Sequence, residues 1–311
     1  MSIPQVLAFI GVWLISAPLA QAGDVRLTQH GGNVKLTFGD EPAHVSLTGG
    51  VPGTVSVSPD LGTTLNGSME LRKLAGVQSV SVQGGDAQSE VNFNGLSIAK
   101  KLSFKGGDGV SLVGFDDCAI GGDVSIHAGH GNLNLQGDNN QVSGKLDVKG
   151  GPSPDDVTLG AASVARNVNI ALGEGSNESS FSGVVGGSLT IKGGTFNDFV
   201  SFGSLVTMGS LKFDMGSGGN GAEMGSAVIQ GKVSYKGKNG IDSVLFDGPI
   251  IAGDVSLDLG NGDNEVTFHD TDFESDLTVK AGSGNDFVML TGSTSVAGKT
   301  SLKLGTGMDS P

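Results

Sequence analysis

Acidic and amide side chains recur at a nearly constant step in the second half of the sequence, and they are the residues best suited to chemistry. Asp and Asn alternate in this row, each two residues before a member of the row that includes Val157, Ser179 and Val288: Asp155, Asn177, Asp198, Asn220, Asp242, Asn264 and Asp286, followed by Asp309 in the last partial coil. Carboxylate and amide oxygens are ligands that Ca²⁺ prefers. Asn and Asp also close tight turns by hydrogen bonding to the backbone. The row therefore predicts either a metal site or a structural ladder.

The glycine-rich corners around this row resemble a known repeat. "GSGNDFV" (282–288) and "GNGDNEV" (260–266) resemble the hemolysin-type (RTX) calcium-binding repeat, and Gly282, Gly284, Asp286 and Val288 match its G-x-G-x-D-x-U core. The resemblance implies that Asp side chains and backbone carbonyls of successive turns bind calcium. It covers the corners only, because the family uses a nine-residue repeat, two per coil, and this chain has one such corner per coil. The candidate ligands are Asp198, Asn220, Asp242, Asn264 and Asp286.

The spacing of the candidate ligands limits any metal site. Asp residues two coils apart are separated by about 9.6 Å, twice the strand spacing, whereas calcium–oxygen distances are about 2.3–2.6 Å. One ion therefore requires one Asp, the adjacent Asn and backbone carbonyls. A single carboxylate per ion predicts weak binding, with a dissociation constant on the order of millimolar. A ladder that only closes the corners remains the alternative.

Three rows of apolar residues define the elements that carry these corners. In the first row the step is 22 residues, with one step of 21 between Ile170 and Ile191. Its members are Val82, Phe104, Ile126, Val148, Ile170, Ile191, Phe213, Tyr235, Leu257 and Val279. Parallel rows run from Val91 to Val288 and from Ile98 to Val296. Alternation of apolar and polar residues indicates strands, and regular self-similarity indicates a solenoid.

The predicted fold is therefore all-β: a parallel β-helix (solenoid) of about ten 22-residue coils with three strands each. Right-handed winding is expected from the rule for parallel crossovers. Ten coils at a spacing of about 4.8 Å make a rod about 50 Å long. A coil alone buries little surface, so stability must come from stacking on its neighbours.

The chain divides into three parts on sequence grounds. Residues 1–22 contain a short apolar run and end in "AQA", which predicts a cleaved secretory signal peptide and a mature chain without a transmembrane segment. Residues 23–77 keep strand-like alternation without the 22-residue register, which predicts degenerate first coils or a cap. Residues 78–311 carry the regular repeats and end in an incomplete coil. An open coil edge predicts end-to-end self-association as one mode of partnership.

A second alternating row follows the first strand of each coil: Lys192, Asp214, Lys236, Asp258 and Lys280. Outward neighbours in this row are expected about 4.8 Å apart. Opposite charges at that distance favour one register, since a slip by one coil would bring like charges together.

Composition and the remaining polar residues narrow the function. The formal charge of −14 argues against nucleic acid as a partner. Arg is scarce, His127 and His130 have no evident partner, and the single Cys118 is expected to be a buried, inert thiol. These features predict no catalytic residues and no required cofactor, with calcium as the one candidate ion.

The predicted function is thus a secreted, non-catalytic structural or adhesive solenoid. It would lie at a cell surface or in an extracellular matrix, with the periplasm also open, and its partner would be a surface or matrix component, carbohydrate included. The alternatives are a calcium-binding protein similar to RTX repeats and a polysaccharide-active β-helix enzyme. Fold analogy alone does not decide between them.

Overall fold

The computed structural model of the protein describes residues 23–60 and 62–307, which form strands, bridges, turns and loops. In this part of the chain, no helix is long and apolar enough to cross a membrane. The predicted signal peptide (1–22) and Asp309 lie outside the described residues.

The described chain has six N-terminal strands followed by repeating coils. The N-terminal strands are β1 (Asp24–His30), β2 (Asn33–Phe38), β3 (Ala43–Gly49), β4 (Val55–Asp60), β5 (Thr64–Leu65) and β6 (Arg72–Leu74). The first strands of the coils are β7 (Ser79–Gln83), β10 (Leu102–Lys105), β13 (Val124–His127), β16 (Leu146–Lys149), β18 (Val168–Ala171), β20 (Leu189–Lys192), β22 (Leu211–Gly216), β25 (Val233–Gly237), β28 (Val255–Asp258), β31 (Leu277–Lys280) and β34 (Thr300–Lys303).

The second and third strands complete each coil. The second strands are β8 (Ser89–Asn94), β11 (Ser111–Asp116), β14 (Leu133–Asp138), β23 (Gly221–Met224), β26 (Ser243–Asp247), β29 (Glu265–His269) and β32 (Phe287–Thr291). The third strands are β9 (Ser97–Ile98), β12 (Ala119–Ile120), β15 (Gln141–Val142), β24 (Ala227–Ile229), β27 (Ile250–Ile251), β30 (Asp272–Phe273) and β33 (Ser295–Val296). In three coils the second and third strands are continuous: β17 (Asp156–Val164), β19 (Glu178–Val185) and β21 (Phe199–Thr207).

Stacking of the coils confirms the predicted parallel β-solenoid of about ten coils. Each coil strand pairs in parallel with the equivalent strand of the next coil, as in Val82 with Phe104, Val91 with Val113 and Ile98 with Ile120. The three apolar rows point inward and form one continuous core. Aromatic rings pack within it, with the Phe268 ring centroid 5.1 Å from Phe246 and 5.2 Å from Phe273. The hand of the winding stays a prediction.

The bend between the second and third strands accommodates the single 21-residue step. The register shifts by one residue between Phe181 and Gly183, while the inward rows on both sides stay aligned. Equivalent bends place one residue in the left-handed region, including Asp117, Asn139 and Asp270 at φ of 53°, 53° and 47°. Asn and Asp tolerate this conformation better than most residues. The coil that is one residue shorter than the others is therefore shortened at this bend, where the backbone already turns sharply.

The N-terminal strands combine a partial coil with antiparallel covering strands. β2 and β3 stack in parallel on β7 and β8, so they occupy the first and second positions of a coil. β1 pairs antiparallel with β2, and β4 pairs antiparallel with β3. These hairpin strands cover the first edge of the solenoid, which otherwise presents unpaired backbone groups.

Candidate functional site

The alternating Asp and Asn row lies inside the solenoid. Every described member, from Asp155 to Asp286, is at most 4% exposed. The cause is visible in the sequence: each residue stands two positions before an inward residue, which is Ser179 in one coil and apolar in the others. Residues i and i+2 of an extended segment face the same way. We call these seven buried residues, Asp155, Asn177, Asp198, Asn220, Asp242, Asn264 and Asp286, the polar ladder.

Backbone amides connect the polar ladder from coil to coil. From Asp155 to Asn264, the amide of each member donates to Oδ1 of the member in the next coil, at distances from 2.8 Å (Asp155 to Asn177) to 3.2 Å (Asn177 to Asp198). The amide of Leu133, the apolar residue at this position one coil earlier, donates to Asp155 Oδ1 at 2.6 Å. One oxygen per side chain thus satisfies one backbone donor that the turn would otherwise leave buried without an acceptor.

The Asn amide groups add a second set of bonds. Nδ2 of Asn177, Asn220 and Asn264 donates to Oδ1 of the following Asp at 2.7, 3.1 and 2.8 Å. It also donates to the carbonyl two residues earlier, for example from Asn264 to Gly262 at 2.9 Å. Alternation therefore flanks buried carboxylates with amide donors. A row of Asp alone would place like charges about 4.8 Å apart.

The coils of Asp155, Asp198 and Asp242 differ from the Asn coils at one further position, which the sequence analysis missed; the Asp286 coil has Ala281 there. Where the ladder residue is Asp155, Asp198 or Asp242, the residue five positions earlier is glycine, and a Cβ there would lie 2.1, 2.2 or 1.9 Å from the Asp Oδ2. Where the ladder residue is Asn, that position holds a buried Leu172, Met215 or Leu259. The carboxylate therefore occupies space that an apolar side chain fills in the next coil. This pairing of residue types was present in the sequence as a detectable signal.

The second carboxylate oxygen has different surroundings in different coils. Oδ2 of Asp155 accepts the Gly151 amide at 2.9 Å, and Oδ2 of Asp198 accepts the Gly194 amide at 3.0 Å. Ser89 takes the same role in an early coil, where its Oγ accepts the Gly85 amide at 3.1 Å.

Asp242 faces a tyrosine instead of a glycine amide. Asp242 Oδ2 and Tyr235 Oη are both buried, and neither has a partner with good hydrogen-bond geometry. They are close enough to interact electrostatically. Burial raises the pKa of the Tyr235 phenol strongly, and the Asp242 carboxylate raises it further. Burial likewise raises the pKa of Asp242, partly offset by its hydrogen bonds to Asn220 and by Tyr235.

Two other ladder carboxylates show the same shift. Burial raises the pKa of Asp155 and of Asp198, and the amide donors to each carboxylate partly lower it again. The pKa values of these buried acids therefore move opposite to those of the exposed Asp254 and Asp270. Hydrogen bonds lower the latter two, from Lys232 and Ser275 to Asp254, and from Ser293 to Asp270.

As described, the polar ladder is a hydrogen-bonded array whose Oδ1 atoms accept backbone and side-chain donors. Within residues 23–60 and 62–307, no group of three or more His, Cys, Asp or Glu residues is placed to hold a metal ion. The calcium ligands implied by the RTX resemblance, Asp198, Asn220, Asp242, Asn264 and Asp286, stay a prediction.

The outward Lys and Asp row has the predicted register. Lys192 aligns with Asp214, Asp214 with Lys236, Lys236 with Asp258 and Asp258 with Lys280. Among the described residues, however, the ion pairs within 4.0 Å include none from this row. The lysine ion pair found there joins Lys232 to Asp254 at 2.7 Å, in the neighbouring outward row.

The histidines at the "HAGHG" corner do have partners, contrary to the expectation from sequence. His130 Nδ1 lies 2.6 Å from Asp108, and His127 Nε2 lies 3.2 Å from Asp147 and 3.1 Å from Ser125 Oγ. Asp108 is 22 residues before His130, so the repeat length held the signal. Serine and aspartate both approach the same nitrogen of His127, whereas a Ser-His-Asp triad uses the two ring nitrogens separately.

Cys118 is buried, as expected. Its thiol lies 3.1 Å from the Asp116 carbonyl. Burial raises the pKa of the thiol to about 12, because the thiolate is poorly solvated there.

A depression of about 510 Å³ lies between the N-terminal strands and the third strands of the first coils. Its polar lining includes Gln78, Ser97, Gln141 and Ser143, and none of its lining residues is charged. This surface can donate and accept hydrogen bonds but offers no group for acid–base chemistry.

Comparisons with protein families, with curated proteins and with solved structures gave no match. The kind of protein therefore follows from the described geometry alone: the chain is an all-β parallel solenoid of about ten coils.

Proposed function

We propose that the protein is a secreted structural or adhesive rod of a cell surface or extracellular matrix, without catalytic activity. One observation carries the proposal: the acidic residues best suited to chemistry lie in the interior, where they join successive coils. The oxygens of Asp198, for example, accept Asn177 and Gly194 donors. A solenoid held in this way keeps its outward rows free for contact with a partner.

The predicted signal peptide supports export, and the formal charge of −14 supports solubility outside the cell. The proposal requires no cofactor.

Fractionation of the native host tests the proposal. The protein should be found in the surface or extracellular fraction, with Gly23 as the N-terminal residue of the mature chain. A cytosolic protein that retains residues 1–22 would contradict it. Incubation with neutral and acidic polysaccharides should release no product, and detectable cleavage would favour the enzyme alternative.

The calcium alternative rests on the match of Gly282, Gly284, Asp286 and Val288 to the RTX core. Against it stands the use of the Asp286 Oδ1, which accepts the Asn264 backbone amide at 3.1 Å and its Nδ2 at 2.8 Å. Far-UV circular dichroism with chelator and with added calcium separates the two. A structural ladder predicts unchanged spectra and melting temperature, whereas calcium-dependent folding predicts loss of strand signal in chelator and recovery on titration.

A further inference from the structure

Lysine is concentrated on one face of the rod. We define the lysine face as the outward side chains of β2 and of the first strand in every coil, together with the residue that immediately precedes each of these first strands. Twelve of the 18 Lys and Arg residues lie on it, but only six of the 31 acidic residues that the structure describes do. The face thus carries six more positive than negative charges, although the whole chain carries −14.

The lysines on this face follow the coil repeat. One row, at the end of the first strands, contains Lys105, Lys149, Lys192, Lys236, Lys280 and Lys303. From Lys105 to Lys280 a lysine occurs in every second coil, a spacing of about 9.6 Å over a length of about 38 Å. The other lysines, in the two adjacent rows, are Lys35, Lys101, Lys145, Lys212, Lys232 and Lys299.

The ammonium groups of this face are available to a partner. All twelve lysines are exposed. Among the described residues, Lys232 is the one lysine within 4.0 Å of a carboxylate. An ammonium group outside an ion pair does not have to break an existing salt bridge when it binds an external anion.

Between the charged rows runs a polar floor with hydroxyl and amide groups. Ser125, Asn169, Thr190, Ser234 and Thr278 lie in register along it, and Asp147 and Lys212 occupy the same row. Two shallow depressions sit on this floor. One, of about 410 Å³, is lined by Lys149 and Lys192 together with Asn169 and Asp147. The other, of about 290 Å³, is lined by Lys232, Ser256 and Thr278 together with Asp254 and Asp276. The floor can hydrogen-bond to a hydroxyl-rich chain that follows the rod.

We propose that the lysine face binds a linear polysaccharide that carries carboxylate groups, laid along the rod axis. The inference rests on the proposed surface or matrix role and names its partner. The lysines meet the carboxylates, while the floor and the interspersed Asp214 and Asp258 accept hydrogen bonds from sugar hydroxyls.

Charge spacing favours this partner over nucleic acid. Duplex DNA carries one charge per about 1.7 Å of axis, far denser than one lysine per about 9.6 Å in a row. The aspartates between the lysines would repel phosphates without an intervening cation. A polysaccharide with sparse carboxylates and many hydroxyls matches both the spacing and the mixture of groups.

Binding to soluble polygalacturonate, measured at low ionic strength, tests the proposal. The wild-type protein should bind, and the affinity should fall as salt screens the charges. The polymer with its carboxylates methyl-esterified should bind at least about tenfold more weakly, because the charge contribution of several lysines is lost.

Two triple variants with equal changes in charge give the matched comparison. Lys149→Gln/Lys192→Gln/Lys236→Gln removes charge from the face, whereas Lys73→Gln/Lys100→Gln/Lys238→Gln removes it elsewhere. All six side chains are exposed, so both variants should keep the wild-type circular dichroism spectrum. The first should weaken binding at least about tenfold, and the second should stay within about twofold of wild type.

Three results would overturn the inference: no binding of polygalacturonate by the wild-type protein, equal loss in both triple variants, or tighter binding of duplex DNA than of the polymer. Fractionation separates this outcome from failure of the proposed function. A surface-located protein that does not bind the polymer refutes the inference alone, and a cytosolic protein that binds it refutes the surface role alone.

Discussion

The carboxylate of Asp198 occupies the space that a β-carbon on Gly193 would need, with a separation of 2.2 Å between Oδ2 and the ideal Cβ position. In the next coil the equivalent position holds Met215, which is fully buried, and the ladder residue is Asn220. The space that the carboxylate fills in one coil is thus filled by an apolar side chain in the next, within one continuous core.

Gly193→Ala should destabilise the protein by about 1–3 kcal/mol, because the added methyl group meets the Asp198 carboxylate and the Met215 carbonyl in a packed corner. Gly203→Ala is the matched control. A Cβ there would lie 3.7 Å from the Ser182 Cβ, an ordinary contact, so the change should be within about 1 kcal/mol of neutral. Urea denaturation of both variants measures the difference, and equal stabilities would contradict the assigned contact.

Asp242→Asn should be nearly neutral, whereas Asp198→Asn should cost about 1–3 kcal/mol. Both variants keep Oδ1, which accepts a hydrogen bond from the backbone amide of the ladder residue in the preceding coil. Only Asp198→Asn places an amide group against the Gly194 N–H that Oδ2 accepts at 3.0 Å. The free energy of unfolding in chelator tests this order. A loss above about 2 kcal/mol for Asp242→Asn that appears only with calcium would favour a metal site at that corner.

The melting temperature should rise as the pH falls from about 7 towards the ordinary Asp pKa of 3.8. The pKa values of Asp155, Asp198 and Asp242 are raised by burial, so the folded state binds these protons more tightly than the unfolded state. Their contribution is fully present below the unfolded pKa and is lost as the pH rises through the folded pKa. Below pH 3.8 the trend should reverse, because Asp254 and Asp270 have lowered pKa values and lose their stabilising contacts on protonation.

The variant Asp242→Asn isolates this effect from the change in overall charge. Its melting temperature should depend less steeply on pH than that of the wild type. Asp86→Asn, at an exposed corner, is the control for the loss of one charge. Parallel slopes for all three proteins would contradict the role of Asp242.

Cys118 should resist thiol reagents in the folded protein. Burial raises its pKa to about 12, which keeps the thiolate, the reactive form, rare at neutral pH. Mass spectrometry after maleimide treatment should show no adduct on the native protein and one adduct after denaturation. Rapid modification without denaturant would show that the surrounding coil opens readily.

Much of the fold could be predicted from the sequence because equivalent positions in successive coils of a solenoid recur at a constant spacing along the chain. The 22-residue step predicted the stacking of Val82 on Phe104 and of Val91 on Val113, and the structure confirms both. The contact between His130 and Asp108 could have been predicted from the same period, because the two residues are one repeat apart. It was overlooked because a partner one coil away lies far off along the chain.

The sequence by itself determined the inward rows, the alternation of Asp with Asn and the register of Lys192 with Asp214, since a fixed period places equivalent residues at equivalent points of a coil. Only the tertiary structure decided which atoms satisfy Asp198, how the antiparallel β1 and β4 cover the first coil, and that twelve lysines share one face. The physical reason is that a hydrogen bond or a clash depends on distances of a few tenths of an ångström across coils. A period in the sequence predicts which residues are neighbours in successive coils, but it does not predict the distances between their atoms.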